Sequence, residues 1–268
     1  MDEILAAIEE HRPSHVFALF SGGHDSLCST HVASTLPGFA GVVHANTGIG
    51  IEETRQFVRD TCERFGWPLI EGHPDRYTYE DLVLNEDERM GGFPGGPKSH
   101  MRMYYYLKQR TIDKVVREHK THRKDRIGLV TGIRSAESIR RMAGAFAEPV
   151  HREGASLWLN PILDWTDKDK NSYMRRHDLP RNPVVDTLHR SGECLCGAFT
   201  AKDEFREIEL WYPETAQKIR DLELRVQKVH PDSYWGRRGE RENPDQLHFL
   251  PMCVGCQNPS RTGELLPW

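Results

Sequence analysis

Two groups of residues in this chain have the types and spacing to do chemistry. The first is Ser21-Gly22-Gly23-His24-Asp25-Ser26, which follows the apolar run His15 to Phe20 and precedes a helical pattern from about Ser26 to Thr35. A strand that turns through glycines into a helix is an anion receptor. The glycines let the backbone come close, the first helical amides are unpaired, and the helix dipole is positive there. Ser21 and Ser26 add hydroxyl donors, and His24 lies within the loop. Asp25 cannot bind phosphate directly; its carboxylate suits a Mg2+ that bridges phosphates, as ligand or orienter. An ordinary strand-to-helix turn with a serine cap also explains a pair of glycines, but the full hexapeptide in this setting favours a functional loop. It is not a Walker A loop, because no Gly-Lys-Ser/Thr follows, nor a dinucleotide fingerprint, because the Gly-x-Gly-x-x-Gly spacing is absent.

The second group is Cys194-Leu195-Cys196 with Cys253-Val254-Gly255-Cys256. Two close pairs far apart in sequence can converge as four thiolates around one centre. Gly192, Gly197 and Gly255 surround them, and Pro251 precedes the second pair; such residues build tight turns whose amides can point at sulfur. Three chemistries answer to the pattern: a 4Fe–4S cluster, a structural Zn2+, or thiols without metal that cycle in redox state. Spacing alone does not rank iron above zinc. Cys28 and Cys62 stand alone on helical stretches and read as small buried hydrophobes.

The elements that must position these groups follow from the hydrophobic pattern. Short apolar runs alternate with amphipathic stretches, the mark of an α/β domain with an open, mostly parallel sheet and helices on both faces. Strands are expected at His15 to Phe20, Phe39 to Ala45, Pro68 to Glu71 and Arg126 to Thr131. Helices are expected at Glu52 to Phe65, Ser99 to Lys120 and Thr166 to His177, the last capped by Thr166. Residues 91–97, Gly-Gly-Phe-Pro-Gly-Gly-Pro, form a loop by composition, as a mobile lid or a passive surface segment. Beyond Pro183 the character changes, since all four paired cysteines lie there. This places an α/β domain that carries the glycine loop at 1–188 and a cysteine-bearing, mainly helical or irregular region at 189–268.

Bulk properties narrow the class. With 37% hydrophobic and 28% charged residues and a net charge of −4, the chain is polar but not disordered, and global charge makes no case for a nucleic-acid coat or membrane-surface protein. No apolar run approaches the roughly 20 residues that span a bilayer. The start, Met1-Asp2-Glu3-Ile4-Leu5, is acidic and helical, unlike a signal peptide. The expectation is a cytoplasmic protein.

Taken further, Ser-Gly-Gly-x-Asp-Ser resembles the signature of the PP-loop, or N-type ATP pyrophosphatase, superfamily. More of the chain is similar to one branch, the phosphoadenosine phosphosulfate (PAPS) reductase family with its DndC-like sulfur-transfer relatives. Asn46-Thr47-Gly48 with Glu53-Thr54 and Phe57-Val58 looks like that family's second-strand motif. Gly132 to Arg140 resembles its arginine motif, and Asn160 to Thr166, Tyr173 and Leu179 to Pro183 resemble the following segment. The resemblance implies nucleotide contact near Ala45 to Gly48, at the carboxyl end of the second strand, where open sheets bind ligands. Gly132 and Arg134 follow a strand and reach the same edge. Arg134 and Arg140, with Arg141 as a third contact, suit phosphate or sulfate, because guanidinium forks match oxyanions, although a solvated basic helix face also explains such a run. Trp165 reads as core. Lys98, Lys108 and Arg110 suit either a substrate or a solvated face.

The same resemblance implies an iron–sulfur cluster at Cys194, Cys196, Cys253 and Cys256, since many family members carry one, although the cluster-binding reductases typically use a Cys-Cys pair that this chain lacks. Reductases of the family usually have an eroded loop and a catalytic cysteine near the C-terminus. Here the loop is intact and no cysteine follows Cys256. Both features favour cleavage of ATP to AMP and pyrophosphate, adenylation of an acceptor, and sulfur transfer, with Asp25 and Arg134 as catalytic residues. PAPS or adenylyl sulfate (APS) as substrate of a sulfonucleotide reductase is the alternative, and a non-catalytic nucleotide-binding module with a zinc-pinned tail is a third. The acceptor could be DNA, tRNA or a small molecule, and a cysteine desulfurase fits as sulfur donor. A homodimer is the commonest soluble assembly.

Overall fold

The computed structural model describes residues 1–87, 89–95, 97–135, 148–200 and 203–236. The elements run α1 (Asp2–His11), β1 (His15–Leu19), α2 (His24–Ala33), β2 (Phe39–Ala45), α3 (Glu52–Phe65), β3 (Leu69–Gly72), α4 (Tyr79–Val83), α5 (Pro97–Tyr104), a π-helical turn (Tyr105–Gln109) and α6 (Arg110–His119). They continue with β4 (Ile127–Val130), β5 (Val150–Glu153), β6 (Ser156–Leu159), α7 (Asp167–Arg176), α8 (Pro183–Leu188), α9 (Glu204–Trp211) and α10 (Pro213–Val226). Among the described residues no helix is long and apolar enough to cross a membrane.

Six strands form one sheet in the order β3-β2-β1-β4-β6-β5, parallel throughout except for the antiparallel β5–β6 pair. The chain builds outward from β1 to β3 and then crosses to β4 on the other side. The topological switch point therefore lies between β1 and β4, and a ligand crevice opens at their carboxyl ends. Ser21 follows β1 at this edge and Gly132 follows β4.

Strand alternation fills both faces. Val16 and Ala18 pack with Ile4 and Ile8 of α1 and Ala33 of α2, whereas Phe17, Val43 and Leu129 pack with Ile112, Val115 and Val116 of α6. Phe17, Ile127 and Leu129 are fully buried; each such side chain contributes roughly 2 kcal/mol through removal from water. The four central strands are apolar nearly throughout, as strands covered on both faces must be. Beyond α8, Leu195 packs with Ile208, Tyr212, Ala216 and Ile219 of α9 and α10, joining the cysteine turn to a helical layer.

Local signals placed the helix starts well. Thr166 caps α7 in a reciprocal box with Asp169, and Glu52 and Glu53 occupy the first turn of α3. Helix α2 begins at His24, two residues before the expected Ser26, so that Asp25 and Ser26 lie in its first turn. The expected helix from Ser99 to Lys120 is interrupted by the π-helical turn, whose wider ring shifts the phase of α6 relative to α5. Two features were not expected: α4, closed by a Thr78–Asp81 capping box, and the β5–β6 hairpin at the sheet edge.

Candidate functional site

The loop between β1 and α2 is shaped for close backbone approach. Gly22 has φ +78°, and a Cβ there would lie 2.5 Å from Thr54 Cγ2. The Ser26 hydroxyl donates to the Gly23 carbonyl at 2.9 Å and lies 3.2 Å from Ser21 Oγ, so the two hydroxyls sit together at the helix start. No side chain caps α2 at Gly23, which leaves its first amides available to an anion. Gly132 closes in from β4: a Cβ there would lie 2.6 Å from Ser26 N. Its missing side chain thus lets the two loops touch.

The loop is braced from a distance. Asn182 Nδ2 donates to the Gly22 carbonyl at 2.8 Å, and the Asn182 amide donates to His24 Nε2 at 3.2 Å. His24 is buried, and burial, helped by the Arg181 charge, lowers its pKa. Its imidazole accepts from the Asn182 backbone, which is a structural use beside its place on the cavity wall.

Arg134 and Asp25 meet directly. Arg134 Nε donates to Asp25 Oδ1 at 2.8 Å and Nη2 lies 3.3 Å from Oδ2; the same guanidinium reaches Asp167 Oδ1 at 2.9 Å and the Trp165 carbonyl at 3.2 Å. Lys170 Nζ stands 3.7 Å from Asp25 Oδ1 and 3.1 Å from Asp167 Oδ1. Burial opposes the Arg134 charge, but the hydrogen bond and charge of Asp25 outweigh it and raise the pKa. Arg134 is thus engaged by the carboxylates of Asp25 and Asp167, and Asp25 has both oxygens against the Arg134 guanidinium. Among the described residues no three His, Cys, Asp or Glu side chains gather to hold a metal ion.

At the end of β2, Asn46 and Thr47 have protein partners. Asn46 Nδ2 donates to Glu71 Oε1 at 2.7 Å, and Asn46 Oδ1 accepts from the Gly48 amide at 3.0 Å. Thr47 is fully buried, its amide donating to Glu193 Oε1 at 2.9 Å and its hydroxyl to the Glu193 carbonyl at 2.7 Å. Gly48 adopts φ +77°, a left-handed conformation that favours glycine, and a Cβ added there would meet no protein atom within 4 Å. The Asn46 and Thr47 side chains brace the strand end.

A cavity of about 1260 Å³ opens at the switch point. Ser21, Gly23, His24, Asp25, Ser26, Gly132 and Arg134 line it, and so do Cys194 and Cys196. The structure therefore brings the phosphate loop and the first cysteine pair to one space. Gly22, Asn46, Thr47 and Gly48 do not line it. Arg140, Arg141, Cys253 and Cys256 lie outside the described residues.

The two thiols are built as a pair. The neighbouring Cys196 thiol draws the Cys194 pKa down, while that same interaction and burial push Cys196 up, and the Lys108 charge favours the thiolate at both. Gly197, at φ +82°, makes the turn, and the Tyr79 hydroxyl donates to the Cys196 carbonyl at 2.9 Å. Soft sulfur donors of this kind suit a thiophilic metal or cluster. Cys28 and Cys62 are buried, and burial pushes both thiols up to about 12.

Sequence reasoning missed Glu193, His44, Lys170 and Asn182 as parts of this site. Glu193 carried a local signal in its place immediately before Cys194, and Asn182 in its place within the Leu179 to Pro183 segment.

Known proteins share this framework. Residues 15–196 match the family profile of the phosphoadenosine phosphosulfate reductase domain. An adenosine 5'-phosphosulfate reductase of Bacillus cereus is 25% identical over 189 residues, covering 70% of this chain and 74% of that protein. One from Burkholderia cepacia is 24% identical over 185 residues, covering 69% of each. A phosphoadenylyl-sulfate reductase structure from Candida auris superposes with a TM-score of 0.48 at 15% identity, covering 69% of this chain and 82% of that one.

Proposed function

The chain belongs to the phosphoadenosine phosphosulfate reductase domain family, and on that premise we propose that it performs nucleotide-activated sulfur transfer in the switch-point cavity. In this reading Ser21 to Ser26 grip ATP, and an acceptor oxygen attacks its α-phosphate and expels pyrophosphate. A sulfide-level sulfur nucleophile then displaces AMP, which carries that oxygen away, so that ATP ends as AMP and pyrophosphate. The single observation that carries the reading is that the phosphate loop and the Cys194–Cys196 pair line the same cavity. An activating site and a sulfur site must share a space if one intermediate is to pass between them without meeting water.

The chain's own residues have distinct tasks. The uncapped amides of α2 and the Ser21 and Ser26 hydroxyls receive the phosphates. They are already aimed before the nucleotide arrives, so negative charge on the leaving pyrophosphate is met without reorganisation. Asp25 holds Arg134 and Lys170 beside the loop, which makes Asp25 the organiser of the cations that the phosphates meet. Mg2+ enters with ATP, as part of the substrate. Cys194, Cys196, Cys253 and Cys256 would hold a 4Fe–4S cluster, which when bound supplies a place for sulfur to be carried; Zn2+ on the same thiols would be structural. Residues 189–268 form the cysteine-bearing region in this scheme, and DNA, tRNA or a small molecule serves as acceptor, with a cysteine desulfurase as donor.

A second reading is favoured by the named relatives, both adenosine 5'-phosphosulfate reductases. Here the cavity takes APS or PAPS, and an external dithiol supplies the two electrons that release sulfite. Product analysis separates the two. The full-length chain is incubated with ATP and candidate acceptors, and separately with APS or PAPS and a dithiol. Pyrophosphate and AMP from ATP support the first reading; sulfite without pyrophosphate replaces it with the second.

A further inference from the structure

Glu193 is 1% exposed, yet it sits at the crossing of four segments. Its Oε1 accepts from the Thr47 amide at 2.9 Å. Its Oε2 lies 3.2 Å from His44 Nε2 on β2 and 3.7 Å from Arg55 Nε on α3. His44 in turn has Nδ1 2.7 Å from the Phe20 carbonyl. A carbonyl only accepts, so Nδ1 carries the hydrogen. Phe20 is the residue before Ser21, and Glu193 is the residue before Cys194. A route of polar contacts thus runs from the root of the phosphate loop to the root of the cysteine turn, hydrogen-bonded at Phe20–His44 and at Thr47–Glu193, with His44 Nε2 and Glu193 Oε2 in contact between them but not hydrogen-bonded.

The backbone reinforces that route on either side of Glu193. The Ile51 amide donates to the Gly192 carbonyl at 3.0 Å, and the Leu195 amide donates to the Ile49 carbonyl at 2.7 Å. The Thr54 hydroxyl donates to the Ser191 carbonyl. At Gly50 a Cβ would run into the Glu193 carbonyl, so only glycine lets the two segments come this close. Leu195 already supplies apolar anchorage in the core formed with α9 and α10. Adhesion of the turn therefore does not call for a charge. A buried ion pair contributes little net stability compared with apolar packing, but it has one geometry that satisfies it.

We infer that Glu193 is a positioning residue, which locks the Cys194–Cys196 turn in register with the phosphate loop through His44 and Thr47. The inference deepens the proposed function and rests on it only for what occupies the cavity. With the lock in place the two sulfurs face the cavity at a fixed separation from the phosphates. Without it the turn keeps its apolar anchor but loses its register.

The test reads the thiols directly. The full-length chain, freed of metal by a chelator, is treated with iodoacetamide, and alkylation is followed cysteine by cysteine by mass spectrometry. Cys28 and Cys62, 0% and 2% exposed, report opening of the fold as a whole. Glu193→Gln keeps size and the Oε1 acceptor and removes the charge. It is expected to speed alkylation of Cys194 and Cys196 by about tenfold through local opening of the turn, with Cys28 and Cys62 unchanged. Thr47→Val, which removes one donor and leaves the carboxylate, is expected to give a smaller rise at the same two thiols, about threefold. Rates at Cys194 within about twofold of wild type in both variants overturn the inference. So does a parallel rise at Cys28 and Cys62, which would assign Glu193 to overall stability. In the pyrophosphate assay Glu193→Gln lowers turnover about tenfold with the KM for ATP held within about threefold, the split that marks lost positioning rather than lost binding. The alkylation arm involves no nucleotide, so it stands or falls separately from the ATP reading.

Discussion

The phosphate loop and the cysteine turn line one cavity but are held by different means. The loop hangs from the carboxyl end of a central strand; two glycines, two hydroxyls 3.2 Å apart and an uncapped helix start shape its turn, and Asn182 braces its Gly22 carbonyl from 160 positions away. The cysteine turn belongs to no strand or helix. It is held at Glu193 by contacts to residues 146 and 149 positions earlier, Thr47 and His44, and by apolar packing of Leu195. The loop has a strand and a helix of its own to set its course, whereas a turn in neither, pinned by long-range buried polar contacts, is only as well placed as the weakest of them.

Substitutions in and around the two regions test this contrast. The largest effect is expected at Asp25. Asp25→Ala leaves Arg134, whose side chain is 4% exposed, without its nearest carboxylate. Removing one partner of a buried pair costs about 3 kcal/mol, so a lower Tm should accompany loss of pyrophosphate release. Retained ATP cleavage in that variant would remove Asp25 from the mechanism. Unchanged alkylation of Cys194 alongside lost cleavage would show that the two regions are separately held.

Gly132→Ala comes next. Its Cβ would lie 2.6 Å from Ser26 N, and such overpacking costs about 1–3 kcal/mol while pushing β4 away from the loop. Calorimetric titration with ATP should show weaker binding. Wild-type affinity would mean that the loop does not depend on this contact.

Thr166→Ala removes a reciprocal cap from α7, the helix that carries Asp167 and Lys170. Thermal unfolding should show a loss of about 1 kcal/mol, with ATP affinity nearly kept; a large affinity loss would tie α7 to the loop more tightly than its cap suggests.

The smallest effect is a pH dependence at the strand end next to both regions. The Arg59 hydrogen bond, aided by Asn46, lowers the Glu71 pKa from 4.5 to about 2. A depressed carboxylate adds stability above its unfolded pKa, and that stability is lost as pH falls through the folded value. Denaturant unfolding of wild type should therefore weaken between pH 4.5 and about 2, and Glu71→Gln should flatten that limb. An unchanged slope in the variant would assign the acid sensitivity to other carboxylates.

Much of the nucleotide side was legible because its signals are short-range. Strand β2 and helix α3 fall on the residues that alternation and first-turn acids picked out, and Thr166 caps α7 as its type and position foretold. The π-helical turn was not legible, since a shift of helical phase leaves the composition of the segment unchanged. The β5–β6 hairpin was missed because Val150–Glu153 pairs half-exposed at the sheet edge, where an apolar strand pattern is not required.

The glycine turn from β1 into α2, the parallel α/β plan and the nearness of Cys194 to Cys196 were all written in the order of the residues, because glycine conformations, strand alternation and i, i+2 spacing are properties of neighbours. Folding in three dimensions was needed to turn Arg134 to Asp25, to turn Thr47 to Glu193, and to open the cysteine turn into the same cavity as the loop. Those are choices among partners far apart in the chain, made by which buried charges and donors the packed sheet brings within hydrogen-bonding reach.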